Sequence, residues 1–197
     1  MRDITIVPSL IDDDYETFEL DVFEQVVRPG MVVLDVGANF GIYSVIAGAR
    51  VGSTGRVFAF EPVPENVQYL RTNIDLNGLG NVEIVPEAVG SETGRMRIFL
   101  SPDSIGSHSA SPTNVRGTLS GQRSTQGHVD VPVTTIDDFV AARSVVPDVI
   151  KMDIEGYEAF AVSGAASTLH GRPTLFMEFS ASLLERCGSD PLALAHR

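Results

Sequence analysis

Cysteine, clusters of basic residues and long apolar runs are all scarce in this sequence of 197 residues. Cys187 is the single cysteine, so no disulfide can form within the chain, and a reducing, cytoplasmic location is the simplest expectation. No stretch approaches the ~20 consecutive apolar residues of a membrane-spanning helix, and the first five residues begin no apolar signal segment. We therefore expect a protein without a membrane partner.

Basic residues are also outnumbered by acidic ones. The chain has 14 Lys and Arg against 26 Asp and Glu, which gives a formal net charge of -12. A surface this acidic repels the phosphate backbone of DNA or RNA, and no cluster of Lys and Arg offsets the repulsion. We therefore expect no nucleic-acid partner.

The composition is that of one ordinary globular domain. Hydrophobic residues make up 43% of the chain and charged residues 20%, and its length suits a single domain over residues 1–197. Residues 1–30 form an N-terminal segment ahead of the first predicted strand. Residues 101–128 are rich in Ser, Gly, Thr and Pro. A loop of that length is typically either a functional lid or disordered, and the sequence leaves both open.

Short apolar runs alternate with segments of helical periodicity, which predicts an α/β fold with a mostly parallel central sheet flanked by helices. Segments 96–100 and 129–134 are typical of strands outside this alternation, as an antiparallel pair. The predicted strands of the main sheet are 31–34, 57–60, 82–85, 149–152 and 174–177. The predicted helices are 41–49, 64–77, 157–169 and one that begins at 182.

A glycine-spaced turn joins the first predicted strand to the first predicted helix, in Leu34-Asp35-Val36-Gly37-Ala38-Asn39-Phe40-Gly41. Gly37 and Gly41 would let the backbone approach a ligand closely, and a helix N-terminus offers it free N–H groups. Glu61 ends the next strand, about 20 residues after Gly41, where a carboxylate can accept hydrogen bonds from ribose hydroxyls. Together these features predict an adenosine-type ligand.

Two residues distinguish between the possible cofactors. Asn39 stands where a dinucleotide-binding motif has its middle glycine, and the acidic Asp35 precedes the turn. An acidic residue suits a cationic ligand better than a pyrophosphate, and S-adenosylmethionine carries both a sulfonium and an ammonium group. There is also no second domain to hold a hydride acceptor. The pattern therefore favours S-adenosylmethionine over NAD.

With these residues in hand, the chain resembles the FkbM family of methyltransferases over about residues 19–178. The resemblance rests on residues 29–41, Phe60-Glu61-Pro62, Ala88-Val89-Gly90 and the block from Lys151 to Glu158, which is its most specific part. It implies a Rossmann-like class I methyltransferase fold and O-methylation, often of sugars or natural-product hydroxyls. The cofactor-binding positions that it implies are Asp35, Gly37, Ala38, Asn39, Gly41, Glu61, Pro62, Glu87, Ala88 and Asp153.

The sequence departs from the class I pattern near its end. Such folds usually finish with two further strands, the last of them antiparallel, whereas this sequence stops near the helix that precedes them. The expected fold therefore lacks its C-terminal strands. Either the chain is shortened or a partner supplies the missing strands, and a homodimer is one such arrangement.

The strand at 149–152 is followed by Asp153-Ile154-Glu155-Gly156, without the prolines of the Asn/Asp-Pro-Pro-aromatic motif that is common in amine methyltransferases. This favours oxygen as the methyl acceptor. A hydroxyl acceptor must lose its proton, so we expect Asp153 to serve as the base or to orient the acceptor, with Glu155 and Glu158 as the alternates. Alternatively, one of these acidic residues caps the following helix.

Three further residues are candidates for the substrate side or for catalysis. Glu19 and Glu178 are predicted to face the substrate. His108 could act as a base if the 101–128 loop closes over the site; otherwise it is a solvated loop histidine. Asp153 and Glu178 could converge on Mg²⁺, but without a third ligand they do not predict a metal site.

The function expected from the sequence is S-adenosylmethionine-dependent O-methylation of a small metabolite, natural product or sugar. Two alternatives stay open. One is a non-catalytic module that binds an adenosine ligand, or a subunit that needs a partner. The other is an NAD-dependent oxidoreductase.

Overall fold

The computed structural model describes residues 16–101, 104, 106–114 and 127–196, which contain eight α-helices and eight strands. The helices are α1 (Thr17–Val26), α2 (Ile42–Val51), α3 (Pro64–Leu76), α4 (Ile136–Arg143), α5 (Glu158–Ser163), α6 (Ala166–Leu169), α7 (Ala181–Arg186) and α8 (Pro191–Ala195). The strands are β1 (Val32–Val36), β2 (Arg56–Phe60), β3 (Val82–Val85), β4 (Ala88–Val89), β5 (Gly94–Leu100), β6 (Gly127–Thr134), β7 (Val149–Met152) and β8 (Thr174–Met177).

Five strands form one parallel sheet in the order β3-β2-β1-β7-β8. In the pairing register, Val36 at the end of β1 lies beside both Phe60 of β2 and Met152 of β7. The three strands therefore end at one level. The strand order reverses between β1 and β7, and the carboxyl ends of the strands at such a point border a crevice. The α/β class and the parallel sheet predicted from the sequence are confirmed.

The two faces of this sheet pack into separate cores, because successive side chains of a strand point to opposite faces. Val33 packs with Phe23 of α1 and Ala47 of α2. The next residue, Leu34, belongs to a second cluster that includes Phe139 of α4. Helices thus cover both faces, which explains why β1 is a continuous apolar run apart from Asp35.

A second, smaller sheet has the order β4-β6-β5. β5 and β6 pair antiparallel, with Met96 opposite Val131, as the sequence predicts. The two-residue strand β4 is parallel to β6 and is too short to be recognised from a sequence pattern. Ile98 of β5 packs with Val63 and Ala88. This places the small sheet over the carboxyl ends of β2 and β3.

The helices differ from the sequence prediction in four places. Two of these are α1 and α8, which were not predicted. The predicted helix 157–169 is two short helices, α5 and α6, because Gly164 at the break packs closely on Gly90: a Cβ on Gly164 would lie 2.1 Å from the carbonyl oxygen of Gly90. Helix α4 was missed, and it begins where the Thr135 side chain accepts the N–H of Asp138 at 2.9 Å. In the described ranges we find no helix with the length and apolar character needed to cross a membrane.

Candidate cofactor and active site

A cavity of about 370 Å³ opens at the carboxyl ends of β1, β2 and β7, where the strand order reverses. In open α/β sheets this is the usual position of the ligand. The predicted site residues that line it are Gly37, Ala38, Asn39, Glu61, Pro62, Glu87, Ala88, His108, Asp153, Glu155 and Glu178. The fold therefore brings together predicted residues that are distant in the chain. Asp35, Gly41 and Glu19 are absent from the walls.

Glu61 is a buried carboxylate whose two oxygens are oriented by the backbone. Its Oε2 accepts the N–H of Asn39 and its Oε1 accepts the N–H of Val63, both at 2.8 Å. The side chain of Asn66 supplies a further hydrogen bond. A carboxylate has about four acceptor positions, so capacity is left for a ligand hydroxyl. Burial raises the pKa of Glu61 to about 7, although these hydrogen bonds oppose the shift.

This pKa predicts how stability depends on pH. The folded pKa of Glu61 lies above the ordinary value of 4.5, so between these values the folded protein binds more protons than the unfolded chain. The free energy of unfolding therefore falls as pH rises through this window, by up to about 1.4 kcal/mol per pH unit for this group. We expect Glu61→Gln to make the decline between pH 5 and pH 8 shallower in urea unfolding. Equal slopes in both proteins would refute this assignment.

Asn39 provides the clearest indication that the cavity suits S-adenosylmethionine. It has a left-handed backbone (φ 53°), and its N–H is bound to Glu61. Its side-chain Oδ1 is buried and has no hydrogen-bond partner among the described residues. A buried acceptor without a partner is costly, and an ammonium or hydroxyl group of a bound cofactor would satisfy it.

The two glycines of the turn are required by contacts within the protein. Gly37 has φ +81°, and a Cβ there would lie 1.9 Å from the backbone oxygen of Asp153. Gly41 has φ +99°, and its Cβ would lie 2.5 Å from Leu70 Cδ1. The sequence predicts that both glycines allow a ligand to approach, and Gly37 does line the cavity. The structure adds that they let the turn pack against the loop after β7 and against α3.

Lys151 links a buried carboxylate to the cavity. Asp35 is fully buried, and its Oδ2 accepts the Ser44 hydroxyl at 2.6 Å. The ammonium of Lys151 lies 3.7 Å from Asp35 Oδ1 and 3.7 Å from Asp153 Oδ2, and it donates to Gly37 O at 3.3 Å. Asp35 was predicted to contact the cofactor. In the structure it does not line the cavity, and it acts there through Lys151 and through its charge, which helps to raise the pKa of Glu61.

The charge of Lys151 is maintained by its neighbours. Burial would lower its pKa, but the carboxylates of Asp153, Asp35 and Glu16 outweigh that effect, and the pKa lies above its ordinary value. The ring of Tyr43 lies 4.7 Å from Lys151 Nζ and adds a cation–π contact. Lys151 therefore stays protonated, which suits it to hold Asp153 in place and not to act as a base.

Glu16 is a cavity residue that the sequence analysis missed. It precedes α1, and its Oε2 accepts the Tyr43 hydroxyl at 2.6 Å. Glu19, the predicted substrate residue, is exposed on α1. No periodic pattern marks Glu16, because its position depends on the contact with Tyr43 and not on the helix repeat.

The loop after β7 has an unusual backbone. Glu155 and Gly156 both have positive φ, of 55° and 96°. Glu158, which is 1% exposed, accepts the N–H groups of Ile154 at 2.9 Å and Gly156 at 3.2 Å. Glu158 is thus the acidic residue that satisfies the start of the helix, as the alternative interpretation expected of one of them. Asp153 and Glu155 are left to line the cavity.

Residues 106–110 line one side of the cavity, and hydrogen bonds of residues 106–114 fasten the segment there. Phe99 and Ser109 exchange backbone hydrogen bonds of 2.8 and 3.1 Å. The carbonyl of Glu155 accepts the Ser109 hydroxyl and the Asn114 side-chain amide, both at 3.0 Å. This part of the predicted lid contributes cavity walls. Residues 102, 103, 105 and 115–126 of the predicted lid lie outside the described residues.

His108 lies in this segment with its ring partly buried. Its Nδ1 accepts the backbone N–H of Ser101 at 2.9 Å. Burial lowers the pKa of His108, and the charge of Glu65 opposes that shift. The neutral ring has one lone pair, and Ser101 already uses it. This geometry disfavours the role of base that the sequence predicted for His108.

Within the described residues, no group of three or more His, Cys, Asp or Glu side chains is arranged to hold a metal ion. Asp153 and Glu178 both line the cavity, yet the ammonium of Lys151 lies beside Asp153. Among the described residues, no side chain adds the third ligand that a metal site with Asp153 and Glu178 would need.

The sheet order and the crevice, with Glu61 and the glycine turn beside it, define a Rossmann-like class I methyltransferase domain. Comparison with protein families agrees, since the model of the methyltransferase FkbM domain matches residues 35–193. The chain belongs to this family. The resemblance stated from the sequence is confirmed, as is S-adenosylmethionine as the cofactor of the class, and the oxidoreductase alternative is set aside.

Two relatives match different lengths of the chain. It is 29% identical over 153 residues to hexuronic acid methyltransferase AglP of Haloferax volcanii, covering 77% of this chain and 57% of that protein. It is 37% identical over 71 residues to ribosomal RNA large subunit methyltransferase E of Stutzerimonas stutzeri, covering 36% of this chain and 29% of that one. The chain thus spans 57% of the length of the first relative and 29% of the length of the second.

Among solved structures, the fold resembles a precorrin-6y C5,15-methyltransferase of Geobacter metallireducens. The TM-score is 0.53 at 13% identity, over 95% of this chain and 73% of the other. At this identity the likeness supports the fold alone, and it extends over nearly all of the chain.

Proposed function

We propose that this chain is a methyltransferase domain that transfers the methyl group of S-adenosylmethionine to a hydroxyl of a sugar or a similar small molecule. The observation that carries the proposal is the position of Asp153, whose carboxylate lines the cavity beside Lys151 at the end of β7. The absence of prolines after β7 and the similarity to a hexuronic acid methyltransferase support oxygen as the acceptor atom.

In this proposal the cofactor lies against the turn after β1 and the end of β2. Glu61 would accept a ribose hydroxyl, and Asn39 Oδ1 would accept an ammonium or hydroxyl proton. Ala38 and Pro62 would contact the cofactor beside them, and Glu87 and Ala88 would flank the adenine. When bound, S-adenosylmethionine supplies an electrophilic methyl group on a positively charged sulfur. Gly37, Gly41 and Asp35 would act indirectly, through the turn and through Lys151.

The remaining task of the protein is to hold the acceptor oxygen about 3–3.5 Å from the methyl carbon, in line with the sulfur. Asp153 would accept the hydrogen bond of the acceptor hydroxyl and take its proton. Lys151 would fix the orientation of Asp153 through their 3.7 Å ion pair. Glu155 is the alternate for the same role, because it lines the cavity nearby.

Glu178 and Glu16 would form the acceptor side of the cavity. Both side chains line it. The charge of Glu16 helps to raise the pKa of Lys151 and also that of Glu178, whereas the charge of Lys151 lowers the pKa of Glu178. Desolvation at this rim, followed by the charges of Asp153 and Glu158, raises the pKa of Glu178 to about 7. The Glu178 carboxyl can therefore both accept and donate hydrogen bonds near neutral pH, which suits an acceptor rich in hydroxyls. Residues 106–114 would close the site as part of a lid.

An Asp153→Asn variant tests the role of Asp153. We expect kcat to fall by roughly 10²-fold or more, because general-base catalysis contributes about 10²–10⁴-fold. Affinity for S-adenosylhomocysteine, measured by calorimetry, should change little. The matched control is Asp75→Asn, an exposed residue of α3, which should leave kcat unchanged. Equal kcat in wild type and Asp153→Asn would exclude Asp153 as the base.

The assay for the proposed function is transfer of a labelled methyl group to a panel of neutral sugars, uronic acids, amines and RNA. Transfer to a sugar hydroxyl is the expected result. Transfer to RNA or to amines alone would contradict it. Cofactor binding without transfer to any acceptor would favour the alternative of a non-catalytic module or of a subunit that needs a partner.

A further inference from the structure

We propose that His108 binds the adenosine portion of the cofactor as a neutral hydrogen-bond donor, through Nε2–H. This inference rests on the S-adenosylmethionine site proposed above and adds a residue to it. It gives His108 a role in binding, where the sequence alone suggested a role in proton transfer.

The tautomer of His108 follows from one hydrogen bond. The backbone N–H of Ser101 can only donate, and it points to Nδ1 of the ring at 2.9 Å. Nδ1 must therefore carry the lone pair, and in a neutral imidazole the hydrogen is then on Nε2. Nε2 can donate a hydrogen bond but cannot accept a proton.

The ring is also held in place and kept neutral. The next residue, Ser109, exchanges two backbone hydrogen bonds with Phe99, so the backbone beside His108 is fixed to β5. Burial lowers the pKa of His108, and Glu65 is the charged group among the described residues that acts against that shift. Around neutral pH the ring therefore presents the same single donor.

The surroundings of His108 place it on the adenosine side of the cavity. Glu65, its charged neighbour, lies in the first turn of α3 and two residues beyond Val63. Val63 donates its N–H to Glu61 Oε1, and it packs with Ile98 of β5, which lines the same cavity as His108. His108 thus lines the same side of the cavity as Val63 and Ile98, next to the proposed ribose-binding carboxylate of Glu61.

The chemistry of the ligand matches a donor at this position. Adenine has ring nitrogens that accept hydrogen bonds, and the ribose has oxygens that do so. The apolar wall formed by Val63 and Ile98 suits the faces of a planar base, but it offers no donor. His108 Nε2–H would supply one, and it would help to distinguish adenosine from ligands that lack an acceptor there.

Paired substitutions of His108 separate this role from a structural one. In His108→Asn, the amide oxygen can still accept the N–H of Ser101, but no donor reaches the position of Nε2. We expect affinity for S-adenosylhomocysteine, measured by calorimetry, to fall about five- to tenfold, as for the loss of one neutral hydrogen bond. In His108→Gln, the longer amide can place a donor there, so affinity should stay within about twofold of wild type.

The matched control is His128→Asn on β6, where the exposed ring lies 6.3 Å from Phe99. Its affinity should equal that of wild type. Nitrogen-15 NMR of the imidazole should show the Nε2–H tautomer of His108 at pH 7 in the cofactor-free protein. Urea unfolding of each variant identifies any loss that comes from misfolding.

Three results would overturn the inference: the Nδ1–H tautomer, wild-type affinity in His108→Asn, or a loss confined to kcat. A loss confined to kcat would indicate that His108 acts as a base. If the unchanged protein binds no S-adenosylhomocysteine at all, the proposed cofactor site itself is wrong, and this inference falls with it.

Discussion

A Gly37→Ala variant is expected to lose both stability and cofactor binding. Its backbone at φ +81° costs an L-residue about 1–2 kcal/mol. The added Cβ would also lie 1.9 Å from the carbonyl oxygen of Asp153, and backbone cannot move aside as a side chain can. Overpacking typically costs a further 1–3 kcal/mol, so we expect a loss of about 3 kcal/mol or more in urea unfolding.

The backbone shift that relieves this clash should also reach the cofactor site, because the turn after β1 carries Asn39 and the loop after β7 carries Asp153. Affinity for S-adenosylhomocysteine should therefore fall at least tenfold at a temperature where the variant is folded. Gly78→Ala is the matched control, since Gly78 has φ +64° but no atom within 4 Å of the new Cβ. A similar loss of stability in both variants would show that the contact with Asp153 is unimportant.

The second large effect is expected from Lys151→Met. Among the described residues, the variant leaves Asp35, which is 0% exposed, with the Ser44 hydroxyl as its one remaining hydrogen-bond partner. Removing one member of a buried ion pair typically costs about 3–5 kcal/mol. We expect a loss of that size in urea unfolding, together with reduced kcat, because Asp153 also loses the ammonium that orients it.

Two further variants test the cause of this loss. Adding Asp35→Asn to Lys151→Met removes the unpaired charge, so the double variant should recover part of the stability. Arg97→Met removes an exposed pair, with Asp130 at 3.2 Å, and should cost less than about 1 kcal/mol. A double variant no more stable than Lys151→Met would contradict the view that the unpaired Asp35 causes the loss.

The main sheet could be predicted from the sequence because each buried strand is a short apolar run between helical segments. The strand bounds agree within a few residues. The break between α5 and α6 could not be predicted in the same way. It depends on Gly164 meeting Gly90, a contact between distant parts of the chain.

Candidate residues for the proposed cofactor half could also be chosen from the sequence, because Gly37, Asn39 and Glu61 stand at fixed spacings after adjacent strands, and all three line the cavity. The roles of individual residues needed three dimensions. Glu16 enters the cavity through its bond to Tyr43, and the tautomer of His108 depends on Ser101. Contacts of this kind leave no periodic signal in a sequence.

The central claim is that the cavity at the end of β1 and β2 binds S-adenosylmethionine, and calorimetric titration of the chain tests it most directly. S-adenosylmethionine, S-adenosylhomocysteine and NAD would be titrated in parallel under one set of conditions. We predict micromolar binding of the first two and no binding of NAD. Binding of NAD alone, or silence from all three ligands with a folded protein, would contradict the account.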